Sequence, residues 1–165
     1  MRRCKPTQLI ILAAICVLWS LLLGCSERIE SYYRSLDDAQ KEGAISRGWI
    51  PDFLPASTRA IHEIHNPASP RTWSAFEFSA ADSQHLRQSI VEVDVLAPSL
   101  REIDGPGVPW WPKFLEGQLN AAQIRQHGFV LYVATEPSIG SNTRIVLLVL
   151  NWESGTGYFY RAAGA

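Results

Sequence analysis

The chain has 165 residues with 15 basic and 16 acidic side chains, a formal charge of −1; 47% of it is hydrophobic and 19% charged. That is a globular composition at the length of one domain, which excludes a disordered or collagen-like chain. Near-neutral charge excludes a dedicated nucleic-acid binder, which needs a basic stripe against phosphates, and three cysteines are too few for a disulfide framework.

The first element is set apart from the rest. A basic head of Arg2, Arg3 and Lys5 precedes an apolar run from Leu9 to Leu23, broken only by Ser20. As a helix at about 1.5 Å per residue the run reaches ~22 Å, short of a ~30 Å hydrocarbon core. This is the pattern of an N-terminal signal helix removed on export. Leu22-Leu23-Gly24-Cys25 resembles the lipobox of bacterial lipoproteins, with Leu23 bulkier than the small residue common there. The resemblance implies cleavage after Gly24, attachment of diacylglycerol to the Cys25 sulfur, and acylation of the new amino group with a palmitate-like chain. It places the protein in the cell envelope, facing the periplasm on a lipid anchor. Ser26 stands where Asp would mark inner-membrane retention, which points to the outer membrane. Each buried methylene contributes roughly 0.8 kcal/mol, so several acyl chains make such an anchor effectively permanent.

Loss of residues 1–24 leaves 141 residues with 12 basic and 16 acidic side chains, a charge of −4, and Cys25 as the sole cysteine. Residues 25–34 read as the lipidated cysteine and a short tether. Residues 35–165 read as one domain without repeats.

Ser35-Leu36-Asp37-Asp38 is a capping signature that predicts a helix over 36–42, stopped by Gly43. Gly48–Pro55, with two prolines four apart, predicts an ordered extended segment with buried aromatics. Thr58–His65 and Thr72–Ser79 predict two strands joined by the loop Asn66–Pro70. Ser79-Ala80-Ala81-Asp82 predicts a second cap, opening a helix to about Ile90. Val91–Val95 alternates with period two and fits either a half-exposed strand or the helix end. Gly105–Pro112 is a stiff loop. Asn120 caps a short helix to Gln126, stopped by Gly128. Phe129–Thr135 and Thr143–Trp152 are strands, and the unbroken apolar run Ile145–Leu150 marks the latter as covered on both faces. A turn at 153–156 returns Gly157–Arg161 as a hairpin partner. The sum is an α+β domain: an antiparallel sheet of about five strands with two or three short helices.

Chemistry is sparse. His62-Glu63-Ile64-His65 is one residue short of the His-Glu-x-x-His zinc pattern, and on a strand His62 and His65 point to opposite faces. Both remain candidate metal ligands that the spacing argues against. No nucleophile-elbow serine and no glycine-rich phosphate loop occurs, and no cofactor is implied. Asp52 lies among Trp49, Ile50, Phe53 and Leu54, where burial would raise its pKa. Trp110-Trp111, between Pro109 and Pro112, reads as either a partner-gripping surface or a loop pinned to the core by its indoles.

Arg47–Pro55, the strand His62–Asn66 and Trp110-Trp111-Pro112 resemble a group of small proteobacterial envelope proteins of the YbbD-head type. The resemblance covers most of 31–165. It implies a single α+β domain, assigns no activity and transfers no catalytic residue. The expectation is a membrane-anchored envelope lipoprotein, a non-enzymatic binding or structural module that holds an envelope protein or glycan. One alternative is an envelope enzyme or metal-binding protein with a cleft near Asp52, His62 and Glu63. Another is a periplasmic inhibitor or immunity-type lipoprotein.

Overall fold

The structure, a computed structural model, describes residues 28–67, 69–137 and 143–161. The signal segment, Cys25 and Ser26 lie outside the described residues. In chain order the elements are β1 (Ile29–Ser35), α1 (Leu36–Lys41), β2 (Arg59–Asn66), β3 (Ser69–Glu77), α2 (Gln84–Ser89), β4 (Ile90–Glu92), β5 (Glu102–Ile103), β6 (Gly117–Gln118), α3 (Ala121–Gln126), β7 (Val130–Pro137), β8 (Thr143–Asn151) and β9 (Thr156–Arg161). Among the described residues no helix is long and apolar enough to cross a membrane.

Seven strands form one antiparallel sheet in the order β1-β2-β3-β9-β8-β7-β4, and β5 pairs with β6 separately. The expected strands at 58–65, 72–79, 129–135, 143–152 and 157–161 are all present as β2, β3, β7, β8 and β9. The sheet is wider than five because β1 and β4 add an edge on each side. Residues 29–34, read from sequence as tether, lie in β1. Only Tyr33 of that strand is buried, so an edge strand held by backbone pairing shows no apolar alternation. The ambiguous stretch after Ser89 begins as a strand: Ile90–Glu92 pairs with Ala134–Tyr132 of β7.

Both faces of the sheet are covered, as the pattern of β8 predicts. Val146, Leu148 and Leu150 face one core with Tyr33, Ile61, Phe76 and Phe159. Leu147 and Val149 face the other with Ile64, Trp73, Tyr160 and Trp111. Each such side chain contributes about 1.5–3 kcal/mol on burial. The first core is roofed by α1, the segment 44–54 and α2; the second by the segment 96–124, including α3.

Local signals explain the short helices. Ser35 accepts from the Asp38 N–H and Asn120 Oδ1 accepts from the Gln123 N–H, so both predicted caps form. The predicted helix from Ser79 breaks into a 3-10 turn at Ala80–Asp82 and α2. Ser79 does not cap it. Its N–H donates to Ser57 Oγ, while the Asp82 carboxylate accepts from the Ser57 N–H, so both halves of the expected capping box are drawn to Ser57.

Candidate ligand-binding site

The face of the sheet that carries the first core changes character at one end. Along β2, Ile61 is followed on the same face by Glu63 and His65; along β3, Phe76 by Ser74 and Thr72. On β9 Phe159 is followed by Arg161, on β8 Val146 is preceded by Arg144, and on β7 Ala134 is followed by Glu136. Five adjacent strands thus turn polar at the same end. Register places His65 opposite Thr72 and Thr72 opposite Arg161, a row across three strands, and Arg144 opposite Glu136.

The segment between α1 and β2 closes over this end. Arg47, Gly48 and Trp49 join His65, Thr72, Arg144 and Arg161 around a cavity of about 350 Å³. The Trp49 indole stacks on the His65 ring with centroids 3.9 Å apart, and the Arg47 guanidinium sits 4.0 Å over the indole. Both faces of Trp49 are therefore occupied, and it serves to hold His65 and Arg47 in place. Gly48 takes a left-handed backbone at φ +70°, which favours glycine, and an added Cβ would stand 3.1 Å from Arg144 Nη1.

Charge is sealed into this end of the sheet. Glu63 is fully buried, His65 is 4% exposed and Arg161 1%. His65 Nδ1 faces both Glu63 oxygens, at 3.0 and 3.2 Å. Burial pushes Glu63 up to about 8, opposed by Arg161 and Arg47. Burial, then Arg47, pushes His65 below its ordinary value. Both shifts favour the uncharged forms, a protonated Glu63 beside a neutral imidazole, at neutral pH. Arg161 Nη2 donates to Glu136 Oε2 at 2.7 Å and Nη1 donates to the Gly48 carbonyl. Burial lowers the Arg161 pKa, opposed by Glu136. Neither Arg47 nor Arg144 has a carboxylate at ion-pair distance among the described residues. Arg47 is exposed and donates to the Glu42 carbonyl, and Arg144 is half-buried, whereas Glu63, His65 and Arg161 are buried; buried polar groups of that kind are costly unless something compensates them, and they cluster at functional sites.

Residues 27–77 match the family model of the YbbD head domain. No curated protein and no solved structure matches the chain. The YbbD-head-like segment spans β1 to β3 and brings Arg47, Trp49, Glu63, His65 and Thr72 to the site, while Glu136, Arg144 and Arg161 come from beyond it.

The sequence candidates scatter. Asp52 is exposed on a turn, because Ile50, Phe53 and Leu54 take the buried places around it; with Glu136 it lines a neighbouring depression of about 280 Å³ that shares Arg47, Gly48 and Arg144 with the cavity. His62 lies on the opposite face from Glu63 and His65, against Tyr32 and Trp110. Asp52, His62 and Glu63 therefore do not share a cleft. Among the described residues no cluster of His, Cys, Asp and Glu suits a metal ion, and His62 and His65 diverge. Trp111 is 3% exposed and pins its loop into the second core, edge-on to Tyr158. Trp110 is half-buried, its indole N–H donating to Glu30 Oε1 at 2.9 Å. Cys25 lies outside the described residues. Sequence reasoning missed Arg47, Arg144, Arg161 and Glu136, and singled out His65 only as a candidate metal ligand that the spacing argues against. The available signal was the alternation Ile61, Glu63, His65, which puts a charged pair on the buried face.

A wider depression of about 680 Å³ beside α3 is less distinctive. Its charged residues are exposed, and Arg125 is satisfied there by Asp94 and Glu92.

Proposed function

We propose that the protein is a lipid-anchored lipoprotein of the bacterial envelope, and that it acts as a binding module whose ligand seat is the cavity beneath Arg47–Trp49. The observation behind the activity is the convergence of polar strand ends from β2, β3, β9, β8 and β7 on one cavity. A folding core gains nothing from sealing a glutamate, a histidine and an arginine there. Binding is favoured over catalysis because no hydroxyl or thiol of the described residues is hydrogen-bonded to His65 Nε2, so the Glu63–His65 pair has no nucleophile to activate. The location rests on Leu22-Leu23-Gly24-Cys25.

Two experiments test the two halves. Envelope fractionation with acyl labelling is expected to place the chain in the outer membrane, and Cys25→Ser to leave it unprocessed and unlabelled. Processing and membrane binding unchanged in Cys25→Ser overturn the anchor. Native mass spectrometry of the protein extracted from envelopes is expected to show a low-mass ligand that Arg144→Gln loses. A ligand retained in that variant and in Arg47→Gln sits elsewhere and overturns the seat.

A further inference from the structure

The geometry points to a second copy of this chain as the partner of β1: two copies join edge to edge, antiparallel, about a two-fold axis at Tyr32, and one sheet continues into the other. This surface is separate from the cavity, and either can stand without the other.

The two edges of the sheet differ. β4, at one edge, is three residues long and offers little to pair with. β1, at the other, runs for seven residues in one constant register with β2, from Ile29 opposite His65 to Ser35 opposite Arg59. Its outer N–H and C=O groups have no backbone partner among the described residues. Natural edges are blunted by shortness, proline or a bulge, because an open ladder recruits another strand. β1 has none of these, and it exposes Tyr32 at 55% and Ile29 at 41%.

Symmetry restricts how two such edges meet. In an antiparallel pair of identical strands the two-fold lies midway between two directly opposed residues, so it falls where a residue faces its own copy. The middle of Ile29–Ser35 is Tyr32, and an axis there pairs all seven residues. Glu30 then opposes Arg34 of the second copy, and Arg34 opposes its Glu30. All lie on the face that carries Tyr32, because residues two apart share a face. Two pairs of opposite charge thus flank a pair of tyrosines, and such cross-strand pairs stabilise a ladder. Both charges are exposed, the Arg34 side chain at 83%. Arg34 Nε donates to Asp38 and Glu30 Oε1 accepts from Trp110, which leaves the Arg34 Nη groups and Glu30 Oε2 to meet across the edge. An axis moved to Ser31 pairs only Ile29–Tyr33 and sets Arg28 against Arg34; one moved to Tyr33 pairs only Ser31–Ser35 and sets Glu30 against Leu36. Length and charge select the same register. Such a dimer is compatible with the anchor: Cys25 lies three residues before Arg28, a reach of about 11 Å, and two anchors about 25 Å apart meet one bilayer when the joined sheet lies along it.

The test uses the full-length chain in neutral detergent, with mass read by sedimentation equilibrium. Wild type is expected to dimerise with Kd below about 100 µM. Glu30→Arg and Arg34→Glu change exposed side chains, and by symmetry each sets like charges opposite one another twice. Each is expected to weaken the dimer roughly tenfold. Glu30→Arg combined with Arg34→Glu restores opposed charges and is expected to recover the wild-type constant, which damage to the fold would not do. Oxidation of envelopes carrying Tyr32→Cys is expected to give a disulfide-linked dimer absent from the parent chain and from Ser154→Cys, since the axis brings residue 32 against its own copy. A wild-type chain monomeric at about 100 µM, single variants that leave the dimer unchanged, a double exchange no tighter than the singles, or no link through Tyr32→Cys each overturn the proposal.

Discussion

Glu63 Oε1 stands 3.0 Å from His65 Nδ1, with Glu63 fully buried and His65 nearly so. The titratable or charged groups that face this pair come from four places: Tyr33 on β1, Arg47 on the roofing segment, Arg161 on β9, and the two residues themselves on β2. Burial raises the Glu63 pKa from 4.5 to about 8 and lowers that of His65 from 6.5. The pair therefore makes stability depend on pH in a defined way.

Between pH 4.5 and 8 the folded protein keeps a Glu63 proton that the unfolded chain has released, so this stabilisation is full below 4.5 and is lost as pH rises to about 8. His65 has the opposite sign: its contribution is present above 6.5 and is lost as pH falls below that value. Above 6.5 the Glu63 slope stands alone. One proton gives about 1.4 kcal/mol per pH unit, so stability falls by about 2 kcal/mol from pH 6.5 to 8 and then levels. Urea unfolding across that interval measures it. Glu63→Gln, whose amide still donates to Nδ1, is expected to flatten the profile; a wild-type profile already flat rejects the raised pKa.

Arg161 and Glu136 form an ion pair that is nearly sealed from solvent, with Nη2 and Oε2 2.7 Å apart. Glu136→Gln leaves the guanidinium buried with its charge unmatched and is expected to cost about 3–5 kcal/mol in urea unfolding. Arg161→Met combined with Glu136→Leu is expected to recover most of that loss, because no uncompensated charge remains. A double variant no more stable than Glu136→Gln would show that the pair itself, rather than its isolation, holds this end of the sheet.

Trp110 and Trp111 are adjacent in sequence and differ in burial. Trp111→Ala empties a site in the second core and is expected to cost about 3–5 kcal/mol. Trp110→Ala removes a half-buried ring and one exposed hydrogen bond to Glu30, at about 1 kcal/mol. Equal losses on chemical unfolding would contradict the split.

Gly155 and Gly107 have similar left-handed backbones, at φ +68° and +75°. A Cβ on Gly155 would lie 2.2 Å from the Phe78 carbonyl oxygen, whereas one on Gly107 would meet nothing within 4 Å. Gly107→Ala is expected to cost only the backbone strain, about 1–2 kcal/mol. Gly155→Ala adds a backbone collision and is expected to lower Tm well beyond that, because it forces β3 and the β8–β9 turn apart.

What was readable in the sequence was whatever depended on near neighbours. Ser35 and Asn120 announce their helices through side chains that reach three residues ahead. The run Ile145–Leu150 announces a doubly covered strand because each residue must be apolar for itself. Ser79 misled because its partner, Ser57, is 22 residues away. The candidate site was hidden for a related reason. Arg144 and Arg161 end their strands like ordinary solvated arginines, and only the registers Thr72 to Arg161 and Glu136 to Arg144 bring them to one place. Asp52 misled in the other direction, since apolar neighbours along a tight turn take the inward places and leave it outside.

The strand order has a consequence for assembly. β1-β2-β3 and β8-β7-β4 do not touch as ladders; β9, the last of the nine strands among the described residues, is inserted between them and pairs with both. It acts as a keystone. Until it docks, β3 and β8 each present an open edge, and the two half-sheets have no common face. Arg161 rides on that strand, so the cavity comes into being in the same event that closes the sheet.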